Sequence, residues 1–470
     1  MKNKLFMRLR RPIFAAAVLC ASSSSAAESF LLYHEGLARS EELQTIRSAS
    51  EQRFAALKES IEESRNNFKN DKLPPLVRER MGKRFQICDR LLGLIGNYSR
   101  NTQPESTFHV MRMLNDLEIF DQYFKDELAH GKAVLAHPET KRFSVKDFGA
   151  KGDGVADDTE AVEAALAAIR ALKGAPAELV FPKGKYRFQK LMNAESTRNL
   201  FGEKPLPCAD VAKKHSNNHY YTKYVHFLLC DLDNLTVRGE TGDTELLFTQ
   251  PEIGVLLAAC SNVTLKNLTL RSLSPTHTQG VLEAVDPQNK TLTVRFDEGR
   301  PLPDDPGWSL VRNSTAQSYD DNGTIVKAAS DILSANLWEY EKLGDRLYKV
   351  KYSAARYRDK IPVGVRIAFP IRQDRQSMIT SKRCRFTTFD NLTIVNSGAS
   401  AMPTAESYVT SFINCRVLPA DGNLMSSAAD GSINIDNFFG PYYRGCVFRN
   451  IGDDGINVFG ETPFSCCETP

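Results

Sequence analysis

No stretch of this chain reaches the ~20 consecutive apolar side chains that cross a bilayer, so the sequence offers no candidate for a membrane-spanning helix. Past the first dozen residues there is no basic tract. With 60 Lys and Arg against 57 Asp and Glu, the electrostatic footprint of a nucleic-acid binder is missing. Cys-x-x-Cys pairs and zinc-type Cys/His spacings are absent, and the acidic glycine-rich loops do not match the calcium spacing of an EF-hand. Glycine at 28 and proline at 22 are too few for a collagen-like or low-complexity chain. Neither a metal nor a cofactor is expected.

What is present is enough for several folded parts, since 470 residues exceed one ordinary domain. The chain opens on Lys2, Lys4, Arg8, Arg10 and Arg11, then a short apolar run from Ile13 to Cys20, then Ser25-Ala26-Ala27. That is the pattern of a Sec-type signal peptide over 1–27, and it predicts a secreted or periplasmic protein. Lipoprotein export through Cys20 and twin-arginine export through Arg10-Arg11 fit less well, the former because Leu19 is bulky. Losing five cations turns a formal +3 into −2, and losing Cys20 leaves nine of ten cysteines, an odd number that excludes a complete disulfide framework.

Residues 28–138 read as a helical bundle. Leu43, Ile46, Phe54, Leu57 and Ile61 recur at helical spacing, and Pro74-Pro75 breaks the run. Phe85, Leu91, Leu92 and Ile95 mark a second helix, and Val110, Leu114, Leu117, Phe120 and Phe124 a third. The charged residues of this region read as solvated faces. From 139 to 470 the pattern is short strands that share a phrase in which Asn or Asp precedes alternating apolar residues. Examples are Asp233-Asn-Leu-Thr-Val237, Ser261-Asn-Val-Thr-Leu265 and Asp390-Asn-Leu-Thr-Ile394. Units too small to bury their own core, with no helix between them, predict a parallel β-helix. Cys384, Cys415 and Cys446 recur every 31 residues inside such strands, which predicts one buried column of thiols. Residues 280–371 break the rhythm with a hairpin pattern around Pro287-Gln-Asn289 and with alternating runs at Leu347–Tyr352 and Gly364–Phe369, predicting a small antiparallel β insertion.

The stretch Asp147-Phe-Gly-Ala-Lys-Gly-Asp-Gly154, Asp157-Asp-Thr159 and Phe181-Pro-Lys-Gly-Lys-Tyr186 reads as the start of the solenoid. Asp157 or Asp158 is expected to cap a helix over Thr159 to Lys173, whose Val162, Leu166, Ile169 and Leu172 cover the first coil. This run resembles the opening of the pectin-lyase-like right-handed parallel β-helix proteins. The resemblance covers about residues 141–460 and implies a mainly β, single-stranded right-handed solenoid that acts on polysaccharide or oligosaccharide. With the insertion and the N-terminal α-helical bundle, that is the expected architecture.

Two phrases carry candidate chemistry: Asp430-Gly-Ser-Ile-Asn-Ile435 and Asp453-Asp-Gly-Ile-Asn-Val458. They are offset by about one β-helical coil, so Asp430 should lie over Asp453 and Asp454, with strands ~4.8 Å apart. Crowded carboxylates push at least one pKa upward and give a proton donor beside ionised neighbours. Glycosidic hydrolysis uses such a set: Asp453 as general acid, and Asp430 with Asp454 activating a water in a gap of roughly 6.5–9.5 Å. This arrangement resembles the polygalacturonases of glycoside hydrolase family 28. It is closer to the α-1,3-galactosidases of glycoside hydrolase family 110, which also carry a small β insertion. That resemblance implies inversion without metal, on α-galactosidic or related linkages. It departs at Phe459-Gly460, where the family has His-Gly, and both families continue for several coils past the paired aspartates, coils expected to be missing here. Two alternatives stay open. One is a calcium-dependent polysaccharide lyase, or a pectin-type hydrolase, with Arg444 and Arg449 available to the lyase; the other is a truncated, non-catalytic carbohydrate-binding solenoid. His277 and Gln279 could face the groove before the insertion, but a lone turn histidine is more often solvated, and both are left outside the site.

Overall fold

The computed structural model describes residues 41–100, 104–136, 139–194, 197, 224–305, 314–326, 333–354, 362–371 and 376–459. The proposed leader and Gly460 lie outside these. The chain divides into two compact units, one ending at His137 and the other beginning at Pro138. Among the described residues no helix is long and apolar enough to cross a membrane.

The first unit holds helices α1 (Glu41–Asn70), α2 (Pro75–Ser99) and α3 (Pro104–Ala136). Pro75 stands at the first helical position of α2, where a missing N–H breaks no bond. Ile61, Met81, Phe85, Leu114, Leu117 and Phe124 are buried between the helices, and the Phe85 and Phe124 rings stack 3.9 Å apart. The charged residues are not all solvated, contrary to the sequence expectation. Arg80 and Glu127 form a buried two-pronged ion pair, both contacts at 2.7 Å, and Tyr123 Oη donates to the same carboxylate at 2.8 Å. Arg80 and Glu127 sit on different helices, and helical periodicity cannot announce such a pair.

The second unit is a right-handed parallel β-helix. One sheet stacks Lys141–Ser144, Ala177–Phe181, Asp233–Gly239, Ser261–Ser272, Arg385–Val395, Tyr408–Ile413 and Tyr442–Arg444 in parallel register. A second stacks Phe227–Cys230, Val255–Ala258, Ile379–Lys382, Thr404–Ala405, Ser432–Ile435 and Ile456–Phe459. The recurring Asn phrase has a physical reason. Asn234, Asn262, Asn267 and Asn391 turn the chain at φ values of 50–56°, a left-handed conformation that Asn tolerates. Their side chains also bond between coils: Asn262 Nδ2 donates to Asn234 Oδ1 at 2.7 Å and Asn391 Nδ2 to Asn267 Oδ1 at 3.0 Å.

Helix α4 (Thr159–Arg170) buries Val162, Leu166 and Ile169 in the same core as Phe143, Val145 and Leu179. It ends three residues short of the sequence expectation. Asp158 occupies the N-cap position, but its carboxylate does not cap. It accepts instead from the N–H groups of Lys151, Gly152 and Arg187. Asp157 accepts from Thr159, Gln189 and Lys190. The two acids thus stitch the first loop to a later strand.

The thiols do not form one column. Register places Cys260 against Cys384 and Cys415 against Cys446, each at a corner before or between strands rather than inside one. The step from Cys384 to Cys415 overshoots one coil, because that coil advances by 23 residues, so Cys384 stacks on Ser407 instead. All are free thiols.

Between Ser261–Ser272 and Arg385–Val395 the chain leaves the solenoid, and six strands close an antiparallel barrel from His277–Asp286 to Arg366–Pro370 around Leu292, Val294, Phe296, Val350 and Phe369. The coils on either side still pair in register, Ser261 with Arg385 and Val255 with Ile379.

Candidate active site

Glycine determines how closely the last two described coils approach. A Cβ on Gly431 would stand 2.4 Å from Phe448 Cδ1 and 2.6 Å from Gly455 O, and one on Gly452 would stand 2.6 Å from Ser427 O. The backbones can meet there because neither residue has a side chain. Gly431 N donates to Asp454 O at 2.9 Å and Gly452 N to Ser427 O at 3.0 Å. The following strands pair Ser432 with Ile456 and Ile433 with Asn457, so Asp430 stands one coil from Asp454.

This register brings Asp430, Asp453 and Asp454 together, each offering a carboxylate oxygen within 4.8 Å of the others. They are the one such converging group of acid, His or Cys ligand atoms among the described residues. Their environments differ. Asp430 is 3% exposed, whereas Asp453 and Asp454 are exposed. Asp430 accepts from Ser400 Oγ at 3.3 Å and from the Asp454 N–H at 3.2 Å. The crowding is tighter than the water-sized gap expected from the sequence. Two acids adjacent in sequence and a third one strand spacing away bring these oxygens within 4.8 Å, closer than the roughly 6.5–9.5 Å pictured between acid and base.

The support beneath is partly aromatic. Phe389, Phe412 and Tyr443 stack on successive coils with centroids 5.1 and 4.8 Å apart. The Tyr443 hydroxyl meets Ser432 Oγ at 2.7 Å and accepts from Asn434 Nδ2 at 3.0 Å, tying the coil that bears Asp430 to the interior stack. Ser400 was not legible as a site residue, since it lies 30 positions upstream in a stretch without a motif.

Other sequence candidates lie elsewhere. Arg444 belongs to the first sheet, not to the one that follows the carboxylates. His277 is not a solvated turn residue: it lies in a barrel strand, is 2% exposed, and bonds through Nε2 to Gln279 Oε1 at 3.0 Å. Burial depresses its pKa to about 4, helped by the charge of Arg300. Its strand starts three residues before the expected insertion boundary, and its first four residues, His277 to Gly280, are all buried.

Residues 142–281 match the family model described as rhamnogalacturonase A/epimerase, pectate lyase-like. Over 331 residues the chain is 22% identical to alpha-1,3-galactosidase A of Shewanella woodyi, covering 68% of this chain and 51% of that protein. The chain therefore spans about half the length of this curated relative. Among solved structures it is similar to the exopolygalacturonase of Thermotoga maritima, at 13% identity and TM-score 0.29, covering 70% of this chain and 57% of that one. It is also similar to the family 28 exopolygalacturonase of Yersinia enterocolitica, at 13% identity and TM-score 0.30, covering 68% and 45%.

Proposed function

We propose that this chain is an exported glycoside hydrolase that cleaves α-galactosidic or related glycan linkages, inverting the anomeric centre through Asp430, Asp453 and Asp454. The observation that carries this reading is the convergence of three carboxylates on consecutive coils, one buried and two exposed. Asp453, exposed, acts as the general acid on the leaving oxygen. Asp430 and Asp454 hold the attacking water. Asp430 accepts hydrogen bonds from Ser400 Oγ and from the Asp454 N–H. Two oxygens up to 4.8 Å apart can share one water at normal hydrogen-bond lengths of about 2.8 Å. The α-galactosidic specificity draws on the likeness to alpha-1,3-galactosidase A, and export on the pattern of residues 1–27.

The test is turnover of α-galactosides and polygalacturonate by the purified protein, with Asp453→Asn beside the parent. The substitution is expected to lower kcat by about 10²–10⁴-fold, the range of general acid catalysis. Equal activity on every glycan would remove Asp453 from the reaction. The close approach of the carboxylates favours a second reading, because retaining enzymes keep their pair only ~5–5.5 Å apart. Proton NMR of the first-formed sugar separates the two: the opposite anomer supports inversion and the same anomer supports a covalent intermediate. The cluster also has the composition of a cation site. Chelator-sensitive release of an unsaturated product would replace hydrolysis with calcium-dependent elimination.

A further inference from the structure

The inserted barrel has its own apolar core, and it meets the solenoid through an apolar patch of Tyr319, Ala368, Leu424 and Met425. That patch would suffice for docking. Yet two glutamines are buried at the same junction, Gln279 at 1% and Gln317 at 8% exposure. A buried amide is costly unless its polar atoms are matched. Beside Asp297 and His277 of the barrel, which also bond Gln279, the partners include backbone groups of the two coils that carry the carboxylates. Gln279 Nε2 donates to Gly422 O at 2.8 Å, and its Oε1 accepts from the Leu424 N–H at 2.9 Å. Gln317 Nε2 donates to Ile451 O at 2.9 Å, two residues before Asp453. Tyr319 Oη donates to Gln317 Oε1 at 2.7 Å, which fixes the amide with its nitrogen toward Ile451.

The gripped segments are themselves paired. Ile451 bridges Ser427, Ser426 N donates to Asn450 O, and Asn450 Nδ2 donates both to Leu424 O and to Gly323 O of the insertion. The insertion thus holds both coils just upstream of Asp430 and of Asp453. We infer that the barrel positions the catalytic carboxylates, with Gln317 as the positioning residue that, through Ile451 O, sets the turn bearing Asp453 and Asp454 against Asp430. The inference rests on the hydrolase reading above for its catalytic meaning. Its structural content, the placement of the Asp454 amide on Asp430, stands apart from it.

Gln317→Met keeps the side-chain volume and removes the donor. It is expected to lower kcat about 10–100-fold, the cost of a misplacement near 1 Å, with KM within about twofold. Amide exchange at Asp454, whose N–H bonds Asp430, should rise about tenfold while Ser432–Ile435 keeps its protection. Tyr319→Phe, which frees the amide to turn, should give a smaller loss of the same kind, and the double variant should add little to Gln317→Met. A purely structural role would lower the melting temperature and leave kcat and Asp454 exchange at parent values; that result overturns the inference. If Gln317→Met does not fold, Tyr319→Phe carries the same two readouts. If the parent cleaves no glycan, the hydrolase reading falls while the exchange measurement still decides positioning. Asp453→Asn should lower kcat about 10²–10⁴-fold without changing Asp454 exchange.

Discussion

Single residues here take their character from the coil above and the coil below. Cys446 shows this most clearly. The neighbouring Cys415 thiol lowers its pKa to about 7, against the opposing effect of partial burial, while Cys415 is itself pushed upward. Cys88, buried in the helical unit, is pushed up to about 12 by desolvation. Thiolates and not thiols are alkylated. Limited iodoacetamide at pH 7.5, read by peptide mass spectrometry, should therefore label Cys446 well before Cys88, Cys260 or Cys415. Comparable labelling of Cys415 would contradict this ordering. The 31-residue spacing of three cysteines was visible in the sequence. Their split into two stacks was not, because it depends on one coil being shorter than the next.

Elements in this fold are short, and their placement relies on close approach more than on propensity. The strand Ser432–Ile435 has only four residues, yet its partner Ile456–Phe459 holds it in register one coil away. The glycines that begin and end this turn region are separable by experiment. Gly431→Ala and Gly452→Ala each drive a methyl into backbone oxygen at 2.6 Å and should cost about 1–3 kcal/mol, with loss of glycan turnover. Gly455→Ala meets nothing within 4 Å and should stay within about 0.5 kcal/mol of the parent. Urea midpoints for the three variants check the contrast, and equal costs would mean that the two coils are not in contact as described. In the sequence Gly431 and Gly455 alike resemble ordinary Asp-Gly turn markers. Only the packed coil tells Gly431, fixed by contact, from Gly455, which is free of it.

At the scale of the whole molecule, two buried histidines couple stability to acidity. Burial lowers the pKa of His226 and of His277 to about 4, and His226 Nε2 accepts from the Gln250 N–H, a bond that protonation would break. Their unfolded value is 6.5, so between pH 6.5 and about 4 the unfolded chain takes up protons that the native protein refuses. Stability should be unaffected by these groups above pH 6.5, fall as the pH drops toward 4, and lose on the order of 3 kcal/mol per histidine. Urea midpoints at pH 7.5 and pH 4.5, for the parent and for a His226→Gln/His277→Gln variant, measure this. A parent midpoint no more pH-dependent than the variant's would refute it.

The sequence by itself determined the class of fold, the helical region, the inserted β segment and the three acids, because periodicity, turn chemistry and coil-length spacing are local properties. Tertiary structure alone decided that Asp430 is buried while Asp453 and Asp454 are exposed, and that Ser400 and Gln317 bond to that site. It also decided that His277 faces inward and that Arg80 and Glu127 form a buried pair. Each of these joins residues apart in the chain, brought together by the pairing of successive coils, by the closing of the barrel or, for Arg80 and Glu127, by the packing of two helices, none of which leaves a local pattern.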